Sequence, residues 1–231
     1  MGIFRFKKFS VNDDRSTMKV GTDAVLLGAW CPVTGAKRIL DIGTGCGVIA
    51  LMLAQRTPDD ARIDAVEMQE QDARQAMDNV LASPWSSKVN VHTARIQDFE
   101  SEPYDLIVCN PPFFTASLLP PDPRRASVRH DHQLSRKALL QAVNRLLAPH
   151  GTFAAIIPAS DADAFMTDAA AEGIPVVSHT LFHTRKSKPA ERSLLAAQRS
   201  GAPVQLNDLV LYGNDNRHTE AYRKLTADFY L

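Results

Sequence analysis

Cysteine is scarce in this sequence: Cys31, Cys46 and Cys109 are the only three, and none sits in a C-x-x-C pair. A disulfide framework is therefore excluded, and three free thiols point to a reducing, cytoplasmic compartment. Long apolar runs are missing too, since Ala24 to Cys31 and Gly47 to Ala54 reach only eight residues each. A membrane span needs ~18, so no membrane association is expected. The Met1-Gly2 opening has Phe6 where a myristoylation signal requires Ser or Thr, and no apolar signal-peptide core follows. Charge of one sign is absent, because 26 Lys+Arg balance 26 Asp+Glu. With 11 Gly, 14 Pro and 45% hydrophobic residues, collagen-like, coiled-coil and wholly disordered readings fall away. No internal repeat, low-complexity tract or linker divides the chain, and no G-x-S-x-G elbow supports hydrolase chemistry.

What is present is 231 residues, enough for one domain that buries roughly 70–75% of its unfolded surface. The neutral total hides segregation. Residues 1–19 carry +3, residues 120–137 carry +3 and residues 183–199 carry +4, leaving −10 for the rest. Each cluster taken alone is compatible with a solvated face. The cluster at 120–137 earns more weight from its position, described below.

From residue 37 onward, short β-rich runs alternate with helical patterns, the signature of a parallel sheet covered by helices. Strands are predicted at 38–42, 63–66, 89–91, 105–109 and 152–157. Ala73, Ala76, Met77, Val80 and Leu81 form one apolar stripe of a helix, and Leu139, Leu140, Val143, Leu146 and Leu147 form another. Val48 to Ala54 is apolar all round and should be the most enclosed helix. A further helix over 161–171 leads to two β-rich runs, 176–182 and 194–198, joined by a polar basic loop. Two adjacent final strands suggest an antiparallel edge. The first 30 residues read as an N-terminal extension without a core of its own.

Asp41-Ile42-Gly43-Thr44-Gly45-Cys46-Gly47 falls where the first of these strands turns into a helix. Glycines there let the backbone bend tightly and admit a ligand without a Cβ in the way. The spacing is G-x-G-x-G, with Val48 where the dinucleotide fingerprint wants its third Gly. A pyrophosphate wants a helix N-terminus aimed at it, whereas S-adenosyl-L-methionine (SAM) needs only room for its amino-acid and ribose portions. Glu67 closes the second strand, where a carboxylate accepts hydrogen bonds from ribose hydroxyls, a placement equally suited to SAM and NAD. Asp41 either caps the turn or holds the cofactor's ammonium group.

Asn110-Pro111-Pro112-Phe113 follows the fourth strand at the carboxyl edge, where open α/β sheets bind ligands. Two prolines make this corner stiff. The Asn110 side-chain oxygen and the Pro111 carbonyl can accept both N–H bonds of an exocyclic amine, leaving its lone pair aimed at a methyl donor. Phe113 offers a face on which a flipped base can rest.

Together these residues resemble the amino methyltransferases with an [N/D]-P-P-[Y/F] signature. Within that group the chain is similar to the bacterial tRNA1(Val) (adenine-N6)-methyltransferases, which act on adenosine 37 beside the anticodon. The resembling stretches are Phe9, Met18 to Asp23, Leu26 to Trp30, Ala50 to Thr57, Ser83-Pro84-Trp85, Val91 to Ala94, Glu220-Ala221-Tyr222 and Phe229-Tyr230-Leu231. The resemblance implies a Rossmann-like, SAM-dependent α/β fold. Its sheet would have seven mostly parallel strands with an antiparallel edge strand, and helices on both faces. It also implies a single methyltransferase domain over 1–231: an extension over 1–30, a SAM-binding core over 31–160, and a C-terminal helix with antiparallel strands over 161–231.

It implies, too, that Lys19, Gly21, Thr22 and Asp23 lie against the methionine end of SAM, although Gly21-Thr22-Asp23 also reads as a helix N-cap. One position departs from the family pattern. Arg95 stands where relatives place an acid for the SAM adenine, so that either Asp98 or the Ile96 backbone takes that role. The catalytic set is Asn110, Pro111, Pro112 and Phe113, and the cofactor set adds Asp41, Gly43, Gly45, Gly47, Glu67 and Asp98. Arg124, Arg125 and Arg129, directly after Phe113, would overhang the target pocket and neutralise phosphates, with Lys186 and Lys188 as a second basic group. His130-x-His132 reads as substrate-facing or exposed, so no metal is expected. The partner is the tRNA anticodon loop, and the protein is expected to be a monomer or weak homo-oligomer. The remaining alternatives are a guanine-N2 rRNA methyltransferase and a glutamine-N5 protein methyltransferase.

Overall fold

Period-two alternation builds the centre of the molecule. In Tyr104–Cys109, Leu106 and Val108 join one apolar cluster while Ile107 and Cys109 join the other. A strand buried on both faces must be covered on both, and full burial of each such aliphatic side chain contributes roughly 1.5–3 kcal/mol. The computed structural model describes residues 2–112 and 134–230.

The strands are β1 (Ile3–Arg5), β2 (Ser10–Asn12), β3 (Arg38–Ile42), β4 (Arg62–Glu67), β5 (Val89–Thr93), β6 (Tyr104–Cys109), β7 (Leu147–Pro158), β8 (Val176–Arg185), β9 (Arg192–Ala197) and β10 (Gln205–Tyr212). The described helices are α1 (Thr22–Trp30), α2 (Val48–Arg56), α3 (Glu70–Leu81), α4 (Arg136–Leu146), α5 (Ala162–Ala171) and α6 (Glu220–Thr226). β1 and β2 form a small hairpin, and the other eight strands form one sheet in the order β10-β8-β9-β7-β6-β3-β4-β5. Helices α1, α2, α3 and α6 contribute buried residues to one side of it, and α4 and α5 to the other. As its composition requires, α2 is buried from Val48 through Ala54.

Three sequence expectations change. Among the described residues the sheet has eight strands rather than seven, because β10 adds a parallel partner to β8. It is a largely exposed edge strand, with Leu206 71% exposed, and so lacks the apolar alternation that marks its neighbours. The antiparallel strand is not at the edge: β9 turns back from β8 and fills the gap beside β7, pairing antiparallel with both. On α3, Met77 and Leu81 are exposed while Asp72, Gln75 and Asn79 are buried. The helix is rotated from its apolar stripe because residues 12–17 lie along it and are held by hydrogen bonds.

The N-terminal residues are also more than an appendage. Phe6, Phe9 and Val11 are buried in the main core, Phe6 stacks on Phe9 at 4.5 Å, and the Lys7 amide donates to the Phe229 carbonyl at 2.9 Å.

Candidate active site

All strands of the large sheet except β9 point the same way, so their carboxyl ends share one rim. At its centre, β3 and β6 are adjacent with Ile42 paired to Cys109. The glycine turn and the Asn-Pro-Pro corner therefore leave the sheet side by side, one strand spacing of about 4.8 Å apart.

Gly43, Gly45 and Gly47 have φ of 70°, 55° and 84°, the left-handed region that other residues enter at a cost. They serve different ends. Among the described residues a Cβ on Gly43 or Gly45 would meet nothing within 4 Å, whereas one on Gly47 would meet the Ala76 Cβ at 3.3 Å. The first two leave the backbone open to a ligand, and the third lets α3 pack against the turn. The Gly43 and Thr44 amides donate to the Val66 carbonyl at 2.8 and 3.2 Å, which anchors the turn to β4.

Two acids underlie it. Asp41 is fully buried, and its Oδ2 accepts from the Thr44 hydroxyl at 2.6 Å while its Oδ1 has no hydrogen-bond partner among the described residues. Burial pushes the carboxyl up to about 7, against the pull of the Thr44 hydroxyl and the Ala50 amide, with the Glu67 charge adding to the rise. Glu67, at the end of β4, accepts from the Gly45 amide at 3.1 Å through Oε2 and from the Gln69 amide at 2.9 Å through Oε1. Beyond β6, Asn110 is half-buried, Pro111 buried and Pro112 exposed. Among the described residues no hydrogen bond holds the Asn110 side chain, which leaves its amide available to a ligand. Phe113 lies outside the described residues, as do Arg124, Arg125, Arg129, His130 and His132.

The other predicted residues are placed as follows. Lys19 curls back, its Nζ donating to the carbonyls of Asp13, of Asp14 at 3.2 Å and of Ser16 at 3.3 Å, so it shapes the segment that leads to α1. Gly21 is the N-cap of α1 without a side-chain cap, and Thr22 is exposed. Asp23 does not cap either: it pairs with Arg192 Nε at 2.8 Å. Asp98 is 75% exposed with Arg95 Nε at 3.9 Å, while the buried Ile96 gives its carbonyl to Arg145 at 3.1 Å. Lys186 and Lys188 are exposed in the β8–β9 loop on the same rim. Among the described residues no group of three or more metal-ligating side chains occurs, and no helix is long and apolar enough to cross a membrane.

Sequence reasoning missed Asn79, Arg145 and Arg192. Asn79 donates to the Cys46 carbonyl inside the glycine turn at 2.8 Å, and Arg145 fastens the loop after β5 through the carbonyls of Ile96, Gln97 and Phe99. For Asn79 a signal exists: a polar residue directly before Val80, between apolar positions of a helix. Arg145 and Arg192 have none, because their partners are distant in sequence.

Residues 16–153 match the family model described as "Methyltransferase small domain". A tRNA1(Val) (adenine(37)-N6)-methyltransferase of Aeromonas hydrophila is 47% identical over 99% of this chain and 97% of its own length. Proteins of the same name from Serratia proteamaculans (44%, covering 100% of this chain and 90% of that one) and Bacteroides fragilis (42%, 99% and 97%) are similar. Among solved structures, a predicted O-methyltransferase of Agrobacterium tumefaciens superposes with a TM-score of 0.68 at 18% identity, covering 90% of this chain and 96% of that one. A glycopeptide N-methyltransferase complexed with SAM superposes at 0.55 and 13% identity, covering 76% and 94%. These structural likenesses concern the fold.

Proposed function

The chain belongs to the tRNA1(Val) (adenine(37)-N6)-methyltransferase family, and from that premise we propose that it transfers a methyl group from SAM to N6 of adenosine 37 in tRNA1(Val). The observation that carries the reading is a juxtaposition. Among the described residues, an open glycine cradle and an unengaged Asn-Pro-Pro corner leave neighbouring strands at the same level, in a chain 47% identical to such an enzyme over 99% of its length.

The residues present fit SAM. Among the described residues, Gly43 and Gly45 leave space that a Cβ would enter, and Asp41 keeps a buried oxygen without a hydrogen-bond partner at the foot of the turn. In this reading Gly43, Gly45, Glu67 and Asp41 hold the cofactor, with Gly47 seating α3 and Lys19 to Asp23 closing one side. Asp98 or the Ile96 amide meets the adenine. SAM supplies an electrophilic methyl group on a sulfonium.

The chain's part is orientation. Asn110 Oδ1 and the Pro111 carbonyl accept the two N–H bonds of the target amine, which turns its lone pair out of the ring plane and fixes its direction of attack. The stiffness of Pro111 and Pro112 keeps these acceptors from relaxing. No general base is required, because the proton becomes acidic only after transfer and leaves to water. Phe113 supports the flipped base, and Arg124, Arg125, Arg129, Lys186 and Lys188 meet RNA phosphates.

The test is to incubate the protein with labelled SAM and, separately, unmodified tRNA, rRNA and release factor, then identify the methylated product. N6-methyladenosine in tRNA is expected. Label confined to N2-methylguanosine in rRNA, or to a protein glutamine, would overturn the reading.

A further inference from the structure

The basic loop between β8 and β9 lies beyond the rim that carries Asn110: β8 is three strand positions from β6, about 14 Å sideways, and runs on for six residues past His179, the residue level with Cys109. The Ala159 amide, just past the end of β7, donates to the Glu191 carbonyl at 3.2 Å and ties the loop's base to the sheet. At the foot of this loop Arg185 ends β8 in register with Tyr212, the last residue of β10.

Its guanidinium lies over the Tyr212 ring at 5.7 Å, donates to Asn216 Oδ1 at 2.6 Å and to the Gly213 carbonyl at 3.4 Å. Every one of these partners is neutral. Arg136 and Arg192, by contrast, each face a carboxylate. Arg185 is thus held in one orientation, faces no carboxylate among the described residues, and has N–H donors to spare. Asn216 is itself unusual, the one described non-glycine residue with positive φ, at 61°. Asparagine is among the few residues that adopt this conformation readily, and the turn it makes aims its side-chain oxygen at Arg185. Nearby acids are otherwise engaged: Asp208 faces His183 at 3.0 Å, Glu191 accepts from the Thr184 hydroxyl, and Asp215 accepts from the Arg217 amide at 3.1 Å.

We propose that Arg185, seated on Tyr212 and steered by Asn216, is a preset clamp for an RNA phosphate, so that the ends of β8 and β10 form a second docking surface beside the target pocket. With Arg185 five residues beyond the β8 position level with Asn110, the separation comes to roughly 22 Å, some six to seven rises of a nucleic-acid helix, which takes the clamp past the modified loop onto the stem that flanks it. The proposal rests on the tRNA reading above and adds where the stem is gripped.

The experiment measures tRNA affinity against salt for the whole protein, together with SAM affinity as a check on folding. Arg185→Ala should weaken tRNA binding roughly tenfold, the size of one charge-assisted hydrogen bond, and reduce the slope of log affinity against log salt by about one. SAM binding should be unchanged. Arg185→Lys should keep the slope and lose part of the affinity, since charge remains and the fork does not. Lys37→Ala removes the same charge at the opposite end of the sheet and should leave tRNA affinity unaltered. Wild-type affinity and slope in both Arg185 variants, or an equal loss in Lys37→Ala, would overturn the clamp while the function stands. A wild-type protein that methylates only a non-tRNA acceptor would overturn both.

Discussion

The Gly45 amide donates to Glu67 Oε2 at 3.1 Å, and the same carboxylate receives the Gln69 amide on its other oxygen at 2.9 Å. The acid that closes β4 is therefore a strut between the glycine turn and the start of α3 before any ligand arrives. Glu67→Gln should not be a quiet change, because one of the two amides then faces an NH2 group. We expect SAM affinity to fall tenfold or more and stability by about 1 kcal/mol, the net worth of one hydrogen bond lost at a part-buried turn. Calorimetric titration and urea unfolding read the two effects, and unaltered SAM binding would refute the strut.

Asn110 carries no structural hydrogen bond among the described residues, so its removal should be felt in chemistry and not in folding. Asn110→Ala is expected to lower kcat by about 10²-fold, as when one oriented hydrogen-bonding group is removed from a reacting centre, with the unfolding midpoint unmoved. Near-normal turnover would dismiss the proposed role.

The three glycines should separate in their consequences. Alanine at any of them enters the left-handed region at a cost of about 1–2 kcal/mol. At Gly43 and Gly45 the added methyl enters open space, so the further loss should appear in SAM binding. At Gly47 it meets the Ala76 Cβ at 3.3 Å, so the further loss should appear in stability. Thermal unfolding of each variant with and without SAM makes the distinction. Equal loss of SAM binding at all three would contradict it.

This division also shows what sequence can convey. Strands β3 to β7, the glycine turn and the proline corner are legible because alternation, left-handed φ and fixed φ each have a local cause in residue type. β10 was not, since an edge strand as exposed as Leu206 buries too little to leave a pattern. The place of β9 inside the sheet depends on which neighbour closes a gap, and no window of sequence contains that. The face of α3 was misjudged because Asp72, Gln75 and Asn79 are buried by hydrogen bonds to residues 12–17, a contact to which apolar periodicity is blind. Asp23 meets Arg192, distant in sequence, so its local context pointed instead to a cap.

Asp41 predicts a pH dependence with a definite sign. Burial raises its carboxyl to about 7 in the folded protein, whereas the unfolded chain titrates near ~3.9. Between these values the folded state binds more protons than the unfolded state, so stability falls as pH rises from about 4 to about 7 and is level beyond. The loss approaches roughly 4 kcal/mol if no cation compensates it. Asp41→Asn removes the titration and still offers an acceptor to the Thr44 hydroxyl. The difference between the two stability profiles should therefore carry the slope, and parallel profiles across pH 4–7 would show that folding adds no proton to Asp41.

Asn79 offers the most demanding test of how the N-terminal segment serves the site. Its Oδ1 accepts the Asn12 amide at 2.9 Å, and its Nδ2 donates to the Asn12 carbonyl at 2.7 Å and to the Cys46 carbonyl at 2.8 Å. One buried amide thus fastens the segment to the glycine turn. Asn79→Ala leaves three backbone groups without it and should cost about 2–4 kcal/mol. Asn79→Asp is the sharper variant: its size is right, but its carboxylate would press two carbonyl oxygens, so it should be no better than alanine. If the contact only stabilised the fold, hydrogen exchange would quicken evenly across the sheet. If it positions the segment, exchange should quicken over residues 12–20 while β3 and β6 stay protected. SAM affinity should then fall as well, since Lys19 to Asp23 follow directly from the released segment. Protection of 12–20 equal to wild type, with SAM affinity intact, would reduce Asn79 to a packing residue.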